Sequence, residues 1–190
     1  MTELTGLLKA DKELVALIVA MIGGGFALWR WTIDQRWKRV QYAYQLIQEF
    51  MAKDNTKKAL MMLDTVNEIE LFPDAEEVED RYHRVDEALI IKALRTFEEQ
   101  TLFKEDEFAI RMIFDEFFTD LSMFQHHIDA KLIRLSDIRP YLEYWIKSIN
   151  GYGTVKSIKL AQQINKFLDF FEYTAVKKLS SSMQFPLKSH

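Results

Sequence analysis

Four histidines, His83, His126, His127 and His190, are the first residues in this chain that could hold a metal or move a proton. Glu79 and His83 stand four apart, which on a helix sets both on one face within reach of one ion. An isolated pair of this kind reads as a surface contact. His126, His127 and Asp129 are too close in sequence to converge, because near neighbours on a helix point around it. A di-iron bundle needs a Glu-x-x-His motif from each of two helices, and the chain has none. Adjacent carboxylates such as Asp115 and Glu116 fall on different faces and make no acid–base pair. Gly151-Tyr152-Gly153 lacks the lysine and the spacing of a phosphate loop, and no G-x-S-x-G elbow occurs. With no cysteine, disulfide frameworks, zinc fingers, iron–sulfur sites and thiol nucleophiles are excluded. No catalytic, cofactor-binding or metal-ligating residue is assigned, and the chain is expected to be non-enzymatic and without a cofactor.

Aromatic residues offer a second chemistry. Fourteen Phe, seven Tyr and four Trp could line a pocket for a lipid, quinone or pigment. At helical spacing, as in Phe117, Phe124, Phe167 and Phe171, they read instead as core.

Stepping along the chain, the clearest element is an apolar run. Leu14 to Trp29 is sixteen residues without a charge. As a helix it spans roughly 24 Å, against roughly 30 Å of bilayer hydrocarbon, and snorkelling by Lys12 and Arg30 closes part of the gap. Trp29, Trp31 and Trp37 lie beside Arg30, Arg36, Lys38 and Arg39, an aromatic and basic belt suited to a membrane interface. The basic excess after the run predicts a single-pass orientation, N-terminus out and C-terminal domain cytoplasmic. A cleavable signal peptide fits poorly, and a buried core helix is the alternative. Ala16, Ala20 and Gly24 share one face, and Gly23 and Ala27 share the next. Small residues so spaced let helices pack closely in lipid.

Ile33, Trp37, Val40, Tyr44, Ile47 and Met51 then recur at steps of three and four. That is an interface stripe between copies, or the core face of a local bundle. Further apolar periods predict about five more helices. Ala59, Met62, Leu63 and Val66 mark a short one. Residues 68–87 hold nine acids and two bases, read as a loop to about 75 and an acid-rich helix start from Asp74. Its acids are a solvated face, a docking surface for a basic partner or a loose cation site. Val85, Leu89, Ala93, Leu94 and Phe97 mark the next helix. Ile110, Ile113, Phe117, Leu121, Phe124 and Ile128 mark a long one. Ser136 is the expected N-cap of another, with Pro140 in its first turn and Asn150-Gly151 at its end. A last helix is expected from Thr154 through Leu179, and the tail from Ser180 is expected to fray. No strand alternation is apparent.

The organisation is therefore all-α: residues 1–31 a tail and transmembrane helix, 32–180 a cytosolic helical bundle, 181–190 a flexible tail. Phe114-Asp115-Glu116-Phe117-Phe118, Ile128-Asp129-Ala130-Lys131-Leu132-Ile133, Asp137-Ile138, Tyr141-Leu142 and Tyr144-Trp145 follow an order that resembles an uncharacterised bacterial family of small membrane-anchored proteins. The resemblance implies one N-terminal span, a helical cytosolic domain of unknown function and a bacterial inner-membrane address. It implies no catalytic residue.

Net charge is +3 over residues 1–60, −13 over 61–130 and +6 over 131–190. The acidic middle would repel phosphate, which argues against nucleic acid. The expected role is a membrane-anchored interaction or scaffold protein that self-associates or docks on a membrane complex. The alternatives are an accessory subunit of a transporter, channel or electron-transfer complex, and a soluble helical ligand binder or enzyme.

Overall fold

The computed structural model describes residues 2–64, 67–152 and 157–185, with side chains from Val19 onward, Asn67 excepted. It is mainly helical. The order is α1 (Thr2–Ala52), α2 (Asp54–Asp64), β1 (Asn67–Glu70), α3 (Val78–Arg81), β2 (Tyr82–Val85), α4 (Glu87–Ala93), α5 (Glu105–Asp129), α6 (Leu135–Ile149), α7 (Ile158–Phe170) and α8 (Thr174–Ser182). The chain divides into two units, Met1–Tyr42 and Ala43–His190. The described residues of the first are helix alone. The second is the bundle.

Within the bundle α5 is the axis, packed against α2, α4 and α8. Phe114, Phe117 and Phe118 of α5 are fully buried, as is Phe167 of α7. Phe50, near the end of α1, meets Phe124 edge-on at 5.2 Å and Phe117 at 5.8 Å. Ile110, Ile113, Leu121 and Phe124 are buried as their period requires. Phe114 and Phe118 widen that stripe, because helices cover α5 on more than one side.

Several sequence expectations need correction. The helix expected to carry Val85 through Phe97 is shorter, Glu87–Ala93, with Val85 on β2 and Phe97 exposed beyond its end, and Ser180 is buried within α8 rather than frayed. The acid-rich segment is not a helix from Asp74. It is an antiparallel hairpin pairing Ile69 with His83 and Asn67 with Val85, and its connection carries only the single turn α3. Buried Ile69, Leu71 and Val85 seat it on the bundle. Strands of four residues are too short to show alternation in sequence. Further along, α6 begins at Leu135 with Arg134 at its N-cap. The Asp137 carboxylate accepts from the Arg134 backbone N–H at 2.9 Å, so Ser136 lies inside the first turn and Pro140 beyond it. The last helix is two. The chain breaks at Glu172, with φ 57° in the left-handed region, and resumes as α8. Tyr173 explains the break: its hydroxyl donates to Asp115 Oδ1 at 2.5 Å and its ring stacks on Phe167. Burial and that carboxylate push its pKa up to about 12. Ser157 caps α7 by accepting from the Leu160 N–H, while Val66 and Thr154 lie outside the described residues. In the tail, Met183 is buried and Phe185 packs on Tyr152 at 5.5 Å.

The ends of α4 and α7 are tied together by one cation. Arg111 is only 5% exposed. Its Nη1 donates to the carbonyls of Ala93 at 3.1 Å and Arg95 at 2.6 Å, satisfying the orphan end of α4. Its guanidinium carbon lies 4.6 Å from the Phe97 ring centroid, 4.7 Å from Phe103, and 5.0 Å from both Phe167 and Phe171. Burial lowers its pKa, and the Asp115 charge opposes that shift. An arginine stays ionised regardless. Arg111→Met should cost about 3 kcal/mol, since it removes two hydrogen bonds from a charged donor and the ring attraction while recovering some desolvation. Arg111→Lys should not restore the loss, because one ammonium cannot reproduce the planar fork. Urea unfolding of the three proteins checks both expectations.

The turn after α4 is pinned by Glu99. Its carboxylate accepts from Lys166 at 2.8 Å, Gln163 at 2.9 Å and the Thr96 N–H at 3.0 Å. These bonds, Lys166 first, hold its pKa at about 2 against an ordinary 4.5. A depressed carboxylate contributes stability above its unfolded pKa and loses it as pH falls through the folded value. The urea midpoint should therefore drop between about pH 5 and pH 2, and Glu99→Gln should flatten that part of the profile.

Candidate functional site

The feature most unlike an ordinary surface lies in the first unit. Every side chain from Val19 to Lys38 is exposed. Val19, Met21, Ile22, Phe26 and Leu28 occupy one half of the helix circumference and Ala20, Gly23, Gly24 and Ala27 the other, so no polar face balances them. Helices apolar all round are normally covered, by a core or by lipid. A Cβ built on Gly23, Gly24 or Gly25 would meet nothing within 4 Å. In water each of these glycines would weaken the helix by about 1 kcal/mol relative to Ala. Ala20 and Ala27 are exposed like them, and the side chain of Ala16 lies outside the described residues.

Among the described residues no helix is long and apolar enough to cross a membrane. The apolar run begins at Leu14, and its side chains through Ile18 are not among those described.

The basic and aromatic belt follows on the same helix. Trp29, Arg30, Trp31, Arg36, Trp37 and Lys38 are exposed, Trp37 at 70%, while Arg39 is half-buried. Lys38 pairs with Asp34 at 2.8 Å. Phe26 packs on Trp29 at 5.6 Å.

The stripe from Ile33 to Met51 is divided. Ile33, Trp37, Val40 and Tyr44 are exposed, Ile47 is buried and Met51 is half-buried. Ala43, Ile47 and Phe50 are the residues that α1 gives to the bundle core. The C-terminal part of the stripe is thus core, and only its first four members are open to a partner.

The remaining sequence candidates do not assemble. His83 lies on β2 and Glu79 in the turn α3, so they do not share a helical face, and the imidazole Nε2 sits 3.2 Å from the Asp80 carbonyl. Asp74, Asp80 and Glu105 rim an open cleft of about 640 Å³ floored by Leu71, Phe72 and Pro73. Among the described residues no three His, Asp or Glu side chains gather closely enough to hold a metal ion. Phe117, Phe124, Phe167 and Phe171 go to the core and the Arg111 cage. Sequence reading passed over Arg111, for Glu107 and Asp115 at i−4 and i+4 make it look like a surface ladder. The structure instead gives Glu107 to Gln100 and the Lys104 N–H, and Asp115 to Tyr173.

No family model, curated protein or solved structure matches the chain.

The division of the stripe has a measurable consequence. Ile47→Ala should destabilise the bundle by about 3 kcal/mol, because it empties a filled core position. Tyr44→Ala should stay within about 0.5 kcal/mol, because that side chain packs on little. Urea unfolding followed by far-UV circular dichroism separates the two.

Proposed function

We propose that this chain is a membrane-anchored interaction protein, its apolar α1 segment set in a bilayer and its helical bundle presented at the cytoplasmic face. The observation that carries this reading is the all-round exposure of apolar side chains from Val19 to Leu28, next to the belt of Trp29, Arg30, Trp31, Arg36, Trp37, Lys38 and Arg39. Exposed apolar surface of that extent is unfavourable in water, at roughly 25 cal/mol per Å². Lipid removes the penalty, and indole rings with arginines suit the headgroup layer at one end. The run from Leu14 is borderline in length for a full crossing. Tilt is unnecessary for so short a run, and local thinning costs only fractions of a kcal/mol per Å.

The interaction role rests on two surfaces. Ala20, Gly23, Gly24 and Ala27 leave the apolar helix able to approach another span closely. Ile33, Trp37, Val40 and Tyr44 offer an open stripe beyond it. The partner is a second copy or a membrane complex. In the second case the chain acts as an accessory subunit and should co-purify at fixed stoichiometry.

Alkaline carbonate extraction of expressing cells tests the anchor. The chain should stay in the membrane pellet, and Ile22→Lys with Phe26→Lys should release it. Recovery of the unaltered chain in the supernatant would mean that the apolar helix is covered by protein instead.

A further inference from the structure

We infer that two copies of this chain pair in parallel along one seam of α1, running from Val19 to Val40. The inference deepens the membrane reading by choosing a second copy as the partner, and rests on that reading for its direction. Val19, Ile22, Phe26, Trp29, Ile33, Trp37 and Val40 are all exposed, and all lie in the first unit. They recur at steps of three, four, three, four, four and three. At 3.6 residues per turn they fall within about a quarter of the helix circumference. Their mean spacing of about 3.5 residues, kept over three heptads, is the period of a seam between two helices. The two successive steps of four at Ile33 are a phase shift that coiled coils absorb by unwinding locally.

Lipid covers only part of this face. Trp37 and Val40 lie about 12 and 16 Å beyond Trp29 along the helix, past a headgroup layer of about 5–8 Å. In water such a face needs protein over it. A second copy fits on three grounds. Set in the same bilayer in the same sense, it brings its own seam to the same depth and runs parallel, the isologous pairing of a two-fold dimer. Its charges are also compatible. With Trp37 at position a and Ile33 and Val40 at d, Arg36 at g faces Gln41 of the second copy at e. Asp34, the other charge beside the seam, is already paired with Lys38 at 2.8 Å. Lys38 and Arg39 fall at the outer positions b and c, so no like charges oppose each other. The area is sufficient as well. The exposed surface of these seven side chains amounts to about 800 Å² per copy, the size of a standard specific interface, whereas Ile33, Trp37 and Val40 alone would fall well short. Ala20, Gly23, Gly24 and Ala27 lie about a third of a turn away and stay outside this pairing.

The chain has no cysteine, so single substitutions can report the seam. Ile33→Cys, Trp37→Cys and Val40→Cys are made in the full chain, and lysates are oxidised with copper phenanthroline before fractionation. Each should give a disulfide-linked product of twice the 22.5 kDa chain mass. Gln35→Cys and Lys38→Cys, on the other side of the helix, should link at least about fivefold more slowly, because a disulfide needs its Cβ atoms within about 4.5 Å. All five positions are exposed, so the substitutions leave the bundle core intact. No dimer at the seam, equal linking at all five positions, or a seam product of another mass would each overturn the pairing. Carbonate extraction of the same samples reads the anchor separately. A pelleted chain without a seam dimer refutes the pairing and leaves the anchor standing. A seam dimer in the supernatant supports the pairing and refutes the anchor.

Discussion

Arg111 puts a positive charge inside the bundle, and among the described residues no carboxylate hydrogen-bonds or ion-pairs with it. Desolvating an ion costs several kcal/mol, so the surroundings must offset it. They do so with two backbone carbonyls from the end of α4 and four phenyl rings from two segments of the chain. The arrangement fixes more than itself. The carbonyls hold the end of α4 against α5, Phe97 and Phe103 fold the connection between those helices over the guanidinium, and Phe167 and Phe171 bring in α7. Glu99 then locks the same connection to α7 through Gln163 and Lys166. A turn without regular structure is thereby tied to both α5 and α7, and Phe97 stands on it 49% exposed.

What the sequence disclosed was what depends on period. The 3.6-residue repeat marked the buried face of α5, and Asn150-Gly151 marked the end of α6, which Gly151 makes with φ 71°, a Cβ there lying 3.0 Å from that of Ala161. What it concealed depended on tertiary partners. The hairpin rests on Ile69, Leu71 and Val85 meeting the bundle, in strands too short to announce themselves. The break at Glu172 carries no Gly or Pro, because Tyr173 reaching Asp115 sets it. Arg111 was disguised by acids at both helical neighbours that in fact serve other groups. Of the interface stripe, Ile47 went to the core because the bundle begins there, and the four residues before it did not.

The two units pose opposite problems of solvation. The bundle holds the Arg111 guanidinium away from water, against carbonyls and rings, at considerable cost. The first unit, from Val19 on, leaves its apolar side chains uncovered. On the reading proposed above, a bilayer around that helix, with tryptophans and arginines at its edge, would resolve the second problem with residues already present. On the same reading, partner contacts would fall to the small-residue face and to Ile33, Trp37, Val40 and Tyr44.

Quenching of tryptophan fluorescence by lipids brominated on their acyl chains reads this directly. The chain has four tryptophans, Trp29, Trp31, Trp37 and Trp145, and only the first three lie along α1. A bilayer-set α1 predicts strong quenching that falls in Trp29→Phe with Trp31→Phe and persists in Trp145→Phe. Emission indifferent to the brominated lipid, or quenching that disappears only with Trp145→Phe, would contradict the account.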